Sequence, residues 1–269
     1  MHDPSYPFAD LALARRLENC EGRANQAFVE ARARLTPDVG ATSIEVAGAR
    51  AMFDGVASPL TQTFGLGMHA TPSDDDLATI EEFFASRDAD VFHEVSPMAS
   101  VETMQLLVAR GYRPVELTSV MFRPIASVAP QSTELRTRIV SNNEIELWAD
   151  TSTQGWSEQA ELSEFIRDFA RISATSEGSS PFIAELDGRA IAAGALVMHD
   201  GIALLAGAST IPSARNQGAQ RALLEARLHY ASTNGCDLGM MCAAPGSTSQ
   251  RNAERRGFRI AYTRIKWGR

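Results

Sequence analysis

The sequence predicts an α/β protein in which a mixed β-sheet with flanking helices occurs twice in tandem. The chain has 269 residues, more than a single domain of ordinary size. Its composition is 44% hydrophobic and 22% charged, which is typical of globular domains that bury a core. Strand patterns and helix patterns alternate along its second half, as expected of an α/β unit.

Two pairs of similar segments indicate that one unit has been duplicated. Ala109-Arg-Gly-Tyr-Arg113 resembles Arg255-Arg-Gly-Phe-Arg259, and Gly257 follows Gly111 by 146 residues. Ile44–Gly48 and Ile183–Gly188 both predict a strand that runs into a tight turn, 140 residues apart. Similar offsets in a shared order favour duplication, and chance resemblance of short patterns is the alternative. A small, polar linker is predicted at 126–133, between domains at 1–126 and 134–269.

The second half gives the clearer pattern of elements. Asp187-Gly188 predicts a hairpin turn, and Asn234-Gly235 a glycine stop after a long helix. The predicted helices cover 144–156, 157–173, 217–233 and 249–256, and the predicted strands cover 181–186, 189–198, 202–210, 238–243 and 258–267. The centre of this half is therefore a strand, a loop, a helix and a second strand.

The loop between strand and helix carries the most informative residues. An apolar strand stops before Ile211, Arg215 and Gly218 follow, and a helix with Arg221 in its first turn begins. Unpaired amides at a helix start, together with the helix dipole, attract an anion, and glycine lets a phosphate approach the backbone. An ordinary turn with solvated arginines is the alternative. No Walker motif and no Gly-x-Gly-x-x-Gly occur, which disfavours nucleoside triphosphates and dinucleotides.

Three segments in order resemble the GCN5-related N-acetyltransferase (GNAT) superfamily over residues 135–269. Arg215-Asn-Gln-Gly-Ala-Gln220 is similar to the pyrophosphate loop of that family. The strand ending Cys236-Asp-Leu and the helix Ser249–Phe258, which closes on Gly-Phe, follow in the family's order. The resemblance implies two tandem GNAT-like domains, the first of them degenerate.

The resemblance also implies acetyl-CoA as co-substrate, bound through backbone amides of the loop and of the strand before it. In this interpretation the strand holds the pantetheine arm and polarises the thioester carbonyl. The cofactor-binding residues expected on this basis are Ala208, Ser209, Thr210, Arg215, Asn216, Gln217, Gly218, Ala219, Gln220, Arg221 and Asn252.

The sequence departs from the family pattern at two positions. Gln220 stands where glycine or alanine is usual, and Ala253 stands where many relatives have the tyrosine that protonates the departing thiolate. Ser249 or a water is the expected substitute acid, with Tyr262 less favoured. Glu185 is the candidate base, with a solvated strand carboxylate as the alternative interpretation.

Several residues have a structural interpretation. Cys242, in an apolar strand, is expected to be a buried structural thiol, and His199 and Asp200 to be turn residues. Trp148 and Trp156 are expected to pack the first helices of this half, with a minority possibility that Trp156 lines the acceptor pocket.

The first half lacks the features of the phosphate loop. At the corresponding place Ser73 precedes Asp74, Asp75 and Asp76, a good helix start whose carboxylates repel a pyrophosphate. One acetyl-CoA site per chain is therefore expected, in the second half, with the first half as scaffold or pocket wall.

Composition restricts the remaining classes. A net charge of −8 disfavours nucleic acid. No apolar run reaches the roughly 18–20 residues that a membrane helix needs, and the first residues do not form a signal peptide, so a cytoplasmic location without membrane contact is expected. The three cysteines and five histidines form no metal pattern.

The leading hypothesis is an N-acyltransferase that moves an acetyl group from acetyl-CoA to a primary amine of a small molecule. A non-catalytic CoA-binding regulator and a protein amino-group acetyltransferase are the alternatives. The identity of the amine, the acyl preference and the oligomeric state stay open.

Overall fold

The computed structural model of the chain describes residues 6–125, 135–156 and 160–269. These residues form two compact units, Met1–Arg123 together with Met240–Arg269, and Pro124–Gly239. The predicted linker at 126–133 lies outside the described residues, as does the predicted helix start at 157. These two compact units differ in their limits from the predicted domains, 1–126 and 134–269. The predicted domains are copies of a duplicated sequence unit, and that division stays a prediction.

The first unit begins with a long helix and continues as a small sheet with two more helices. The first helix starts where Asp10 caps it by accepting a hydrogen bond from the Leu13 amide, 2.9 Å away. The elements are α1 Leu11–Leu35, β1 Thr42–Val46, β2 Ala49–Phe53, β3 Gln62–Phe64, α2 Asp74–Ala85, β4 Phe92–Val95, α3 Val101–Ala109 and β5 Arg113–Pro124.

The second unit contains the predicted strand, loop, helix and strand. Its elements are β6 Arg136–Ile139, α4 Ile145–Gly155, α5 Ser163–Thr175, β7 Ser179–Leu186, β8 Arg189–His199, β9 Ile202–Thr210, α6 Ala219–Thr233 and β10 Leu238–Ala243. Its core packs α4 and α5 against β7 and β8, around Trp148, Ala170 and Ile183. The Trp148 indole donates to the Phe182 carbonyl at 3.0 Å, which satisfies its buried N–H group.

The chain passes from the second unit to the first within β10, and two further elements complete the first unit. These are α7 Thr248–Glu254 and β11 Arg259–Gly268. The strand order in the first unit is β1-β2-β3-β4-β11-β5-β10, and in the second it is β9-β8-β7-β6. The last strand thus lies between β4 and β5 and pairs antiparallel with both.

The pairing of the strands is mixed, as the sequence predicts. β3 and β4 pair in parallel through Thr63 and His93, whereas β6 through β9 pair antiparallel. The α/β fold class, with a mixed sheet flanked by helices, is confirmed. None of the helices described is both long and apolar enough to span a membrane.

The paired segments fold alike. Gly48 and Gly188 have φ values of 78° and 76°, and the residues before them are also left-handed, as tight hairpin turns require. Gly111 and Gly257 end α3 and α7 with φ values of 87° and 82°. The amide after each glycine returns to the helix, from Tyr112 to Leu107 and, 146 residues later, from Phe258 to Ala253.

Two predicted strands have the limits that the structure shows, and the other predicted elements differ from it at one end or both. The strands at 202–210 and 238–243 have the predicted limits. The helix predicted from 217 begins at Ala219, because Gly218 is left-handed and can only cap it. The helix predicted over 157–173 is described from Ser163, after a short 3-10 turn at Ala160–Leu162.

Candidate functional site

The candidate site in the second unit is the turn from β9 into α6. After Thr210 the chain makes a 3-10 turn at Pro212–Ala214, and Asn216 and Gly218 have φ values of 64° and 83°. A Cβ atom added at Gly218 would have only the Leu135 Cδ1 atom within 4 Å, at 3.9 Å. The space beside the backbone is open, and the left-handed conformation there favours glycine.

The start of α6 offers amide groups to an anion. Its first intrahelical bond runs from the Ala222 amide to the Gly218 carbonyl, 3.0 Å away, so helix geometry leaves the amides of the first turn without an intrahelical acceptor. Most of the loop is solvent-exposed, and the exposed members are Arg215, Asn216, Gln217, Gly218, Gln220 and Arg221. The arrangement fits a pyrophosphate, which the helix dipole also favours.

The side chains of the loop have distinct partners. The Gln220 amide donates to the Thr210 hydroxyl at 2.8 Å, so it points back to the end of β9 and leaves the loop open. Arg215 donates to the Gly155 carbonyl at 3.4 Å and connects the loop to the end of α4. Arg221 pairs with Glu225 at 2.7 Å.

β9 carries a β-bulge shortly before the loop begins. The pairing of β8 with β9 shifts between Ala193, opposite Ser209, and Ala195, opposite Ala206. Gly207 within the bulge has a φ of 58°. A bulge withdraws backbone groups from the ladder, so this part of the strand can offer them to another molecule.

Arg227 of α6 supports the bulge from beneath. Its side chain is buried, and it donates to the carbonyls of Leu223 at 3.2 Å, Ala195 at 2.9 Å and Ala206 at 3.4 Å. Burial lowers the pKa of this guanidinium to about 10. A Cβ atom at Gly194 would lie 3.0 Å from Arg227 Nη1, so glycine gives the guanidinium its place.

The end of α4 lies directly on β9. The Ser209 hydroxyl donates to the Ser152 carbonyl at 3.1 Å. A Cβ atom at Gly155 would lie 2.3 Å from Ser209 Oγ and 3.1 Å from the Thr210 amide nitrogen. Glycine at 155 is therefore a condition for this close approach. The indole of Trp156, the next residue, is 43% exposed.

α7 carries two predicted site residues, in the first unit. Ser249 and Asn252 are both exposed, and the helix is capped by Ser247, which accepts from the Gln250 amide at 3.2 Å. Ala253 is buried, so the position at which relatives carry a tyrosine faces the interior. The catalytic role of Ser249 and the cofactor contact of Asn252 stay predictions.

Glu185 is engaged by an arginine side chain. Its carboxylate is buried and accepts from Arg138 Nε at 3.1 Å and Nη2 at 2.9 Å, and Arg138 also pairs with Glu144 at 2.7 Å. The interpretation of Glu185 as a solvated strand carboxylate is therefore wrong. Its role as the catalytic base stays a prediction.

Two other residues considered from the sequence belong to a buried cluster in the first unit. The Tyr262 hydroxyl donates to Glu18 Oε1 at 2.7 Å, and the Cys242 thiol donates to Glu21 Oε2 at 3.3 Å. Burial raises the pKa of both Tyr262 and Cys242. Tyr262 is therefore committed to a structural contact, and Cys242 is a poor nucleophile, as expected.

His199 ends β8 and Asp200 begins the turn to β9, as predicted. Within the described residues, no group of three or more acidic, cysteine or histidine side chains is arranged to hold a metal ion.

Sequence reasoning missed Arg227 and Gly155. In the sequence Arg227 is one more charged residue of a predicted helix. No neighbouring residue in the sequence indicates that its guanidinium is surrounded by the carbonyl four residues earlier and by two strand carbonyls. Gly155 precedes a tryptophan near a helix end, where glycine is common as a stop signal. Its contact with Ser209 depends on tertiary packing.

Comparison with known proteins gives one family-model match, over fewer than half of the residues, and several similar solved structures. Residues 143–258 match the family model of the acetyltransferase (GNAT) family. The comparison with curated proteins gives no match. A solved GCN5-related N-acetyltransferase from Kribbella flavida is 20% identical, with a TM-score of 0.60, over 90% of this chain and 95% of that one.

Two further solved structures are similar. A tandem GNAT protein from the clavulanic acid biosynthesis pathway is 15% identical, with a TM-score of 0.59, over 82% of this chain and 78% of that one. A GCN5-related N-acetyltransferase from Sphaerobacter thermophilus is 14% identical, with a TM-score of 0.51, over 77% and 71%. At this identity the likeness shows the fold.

Residues 143–258 thus match the GNAT family, and the fold of the chain is similar to that of a solved tandem GNAT protein. The family match supports an acyl-CoA-dependent N-acetyltransferase activity in general terms, with acetyl-CoA as co-substrate.

Proposed function

We propose that the chain transfers an acetyl group from acetyl-CoA to a primary amine of a small molecule. The observation that carries the proposal is the turn from β9 into α6. The strand that leads into this turn is bulged. The exposed loop after it contains Gly218, which is left-handed with open space beside it, and ends at the amides of the helix start. These features together suit a long anionic thioester, whose diphosphate and pantetheine arm need successive backbone donors.

The loop residues would divide the binding work. The amides from Asn216 to Arg221 would hold the diphosphate, with the charge of Arg215 beside them. Ala208, Ser209 and Thr210 would bind the pantetheine arm as an added strand. An amide freed by the bulge would donate to the thioester oxygen, where negative charge grows as the amine attacks.

The reaction forms an N–C bond to the acetyl group and breaks its C–S bond. The attacking nitrogen must lose a proton, and the departing sulfur gains one. A thiol with an ordinary pKa near 8.5 is a tolerable leaving group, so the chemistry can proceed without the tyrosine that Ala253 replaces. Ser249 or a water is our proposal for the proton donor, and water is our proposal for the acceptor of the amine's proton.

The acceptor would approach beside the end of α4. Gly155 packs on Ser209 of the strand that would carry the acyl group, and the exposed Trp156 is the next residue in the chain. We propose that Trp156 forms part of the wall for the amine's apolar portion.

A second candidate function is a CoA-binding regulator without turnover. Two observations favour it, the buried Ala253 at the usual acid position and the engagement of Glu185 by Arg138. It shares the binding site with the first candidate and differs only in chemistry.

Incubation of the full chain with acetyl-CoA and a panel of small primary amines tests the proposal, with release of free thiol as the measurement. We expect at least one amine to raise thiol release well above the rate without amine. Peptides with free amino groups form a parallel arm. Turnover confined to peptides would replace the small-molecule assignment, and tight CoA binding without turnover of any amine would favour the regulator.

Binding stoichiometry tests the placement of the site. Calorimetry should give one acetyl-CoA per chain, because the first unit begins α2 with Ser73 and three aspartates in place of an amide-lined loop. Two equivalents per chain would contradict a single site in the second half.

A further inference from the structure

The first unit contains a buried ionic cluster between α1 and its sheet. Arg264 of β11 is at the centre, with its side chain 1% exposed. Its guanidinium lies 3.0 Å from Glu18 Oε1, 2.5 Å from Glu21 Oε2 and 4.0 Å from Glu94 Oε2. Glu18 and Glu21 belong to α1 and Glu94 to β4, so the cluster joins the helix to the strand beneath it.

The carboxylates of the cluster outnumber its cations. Glu18, Glu21 and Glu94 face Arg264 and Lys266. Lys266 is 4.0 Å from Glu94 and also 4.0 Å from the exposed Glu116, so its charge is shared with a carboxylate outside the cluster. One further positive charge would balance the group. An uncompensated charge costs more free energy when it is buried, so this balance would stabilise the fold.

Three oxygens at this place lack a hydrogen-bond donor among the described residues. They are Glu18 Oε2, Glu94 Oε2 and Gln62 Oε1. Gln62 is 5% exposed. It lies two residues before Phe64 on β3, hence on the same face of the sheet, and the Phe64 ring is 5.0 Å from the Arg264 guanidinium. Buried acceptors without donors are uncommon in folded proteins.

We propose that this cluster binds the ammonium end of a small primary amine, with Gln62, Glu18 and Glu94 as acceptors. An ammonium group brings one positive charge and three N–H donors, the two things that the cluster lacks. The site is distinct from the candidate acetyl-CoA loop and would make the first unit a binding domain for amines.

Two uncharged donors of the cluster are already used. Tyr262 donates to Glu18 Oε1 and Cys242 to Glu21 Oε2, so neither supplies the unpartnered oxygens. A metal ion is disfavoured because the described acidic, cysteine and histidine side chains are not arranged as a ligand set of three. Burial raises the pKa of Glu94 to about 7. Burial also raises the pKa of Glu18 above its ordinary value. A bound cation would lower this electrostatic cost of burying the carboxylates.

Access exists at the rim of the cluster. The side chains of Glu21 and Lys266 are each 16% exposed, so the carboxylate group is not sealed from solvent.

Thermal unfolding of the full chain in the presence of ethylammonium tests this inference, with tetramethylammonium at equal concentration as the matched probe. Both ions carry one positive charge, but only ethylammonium has N–H donors. We expect ethylammonium to raise Tm above its value in tetramethylammonium, because a ligand that binds only the folded state stabilises it. Equal Tm values in the two salts would overturn the proposal, as would stabilisation by divalent metal ions alone.

Variants locate the effect. Gln62→Met keeps the length of the side chain and removes its oxygen, and Glu94→Gln removes a charge; each should abolish the Tm difference between the two salts. Glu102→Gln, at an exposed carboxylate in the first turn of α3, should retain it. A difference that persists in both cluster variants would assign amine binding to another site, and should Glu94→Gln fail to fold, Gln62→Met decides alone.

Discussion

At Gly218 the backbone has a φ of 83° with open space beside it, at the point where a diphosphate would bind. Any side chain there meets backbone strain of about 1–2 kcal/mol. Gln220, the residue that departs from the family motif, bonds to Thr210 and turns away from the loop. The single unusual residue of the motif is therefore compatible with the function that the motif implies.

Replacing Gly218 by Glu should abolish acetyl-CoA binding, because a carboxylate would occupy the anion site. Calorimetry is the measurement, with circular dichroism to verify the fold. Gly235→Glu is the matched control, because Gly235 is also left-handed, with a φ of 87°, at the other end of the same helix. Equal loss of affinity in both variants would trace the effect to strain, and unchanged affinity in Gly218→Glu would place the site elsewhere.

Arg227→Met should lower the free energy of unfolding by about 1–3 kcal/mol, since it leaves two strand carbonyls without their buried donor. It should also weaken acetyl-CoA binding through the bulge. Urea unfolding and calorimetry measure the two effects. Arg189→Met, at the exposed first residue of β8, should change neither quantity. Normal affinity in a destabilised Arg227→Met would separate the guanidinium from the shape of the bulge.

Glu94 should make stability fall as pH rises. Its carboxyl has a pKa of about 7 in the fold and an ordinary value of 4.5 unfolded, so the folded state binds more protons between these values. The stabilising contribution is full below pH 4.5 and is lost as pH rises through about 7, by at most about 1.4 kcal/mol per pH unit. The charged groups around it are Arg264, Glu21, Lys266 and Glu18.

Urea unfolding at several pH values, without added amine, checks this expectation. Glu94→Gln should lose stability less steeply between about pH 4.5 and 7 than the unaltered chain. Parallel curves for the two proteins would show that Glu94 ionises normally in the fold.

Among the elements, the contact of α4 with β9 matters most for the site. Gly155 lets the end of α4 approach β9 closely. Arg215 of the loop donates to the carbonyl of the same glycine. The strand that would carry the acyl group is therefore positioned by a helix end, a bulge and a buried guanidinium together.

Gly155→Ala should force α4 away from β9, because its Cβ would lie 2.3 Å from Ser209 Oγ. We expect a loss of about 1–3 kcal/mol in unfolding free energy and weaker acetyl-CoA binding. Gly22→Ala is the control, since this glycine of α1 has the Phe64 Cβ atom at an ordinary 3.6 Å. That variant should be neutral or slightly stabilising. Identical behaviour of the two variants would refute the close-contact argument.

On the scale of the whole molecule, the last strand of the chain completes the first unit. β11 pairs with β4 through Trp267 and His93 and with β5 through Thr263 and Ser119. A fragment ending at residue 126 would expose the facing edges of β4 and β5 and lose Arg264 from the ionic cluster. Unpaired strand edges promote aggregation.

The fragment 1–126 should therefore fail to fold alone, although the sequence suggests a domain there. Circular dichroism and amide exchange are the measurements. A peptide of residues 240–269 added in trans should restore protected amides. A fragment that folds stably without the peptide would show that β11 is dispensable.

The sequence by itself determined the α/β class, the strand–loop–helix turn and the repeated glycines, because left-handed turns and helix ends depend on local backbone chemistry. It placed β9 and β10 correctly from short apolar runs between turns. The engagement of Glu185, the donors under the bulge and the cluster at Arg264 were decided by tertiary structure. They arise where residues distant in the chain meet away from water, and only packing decides which charge pairs with which.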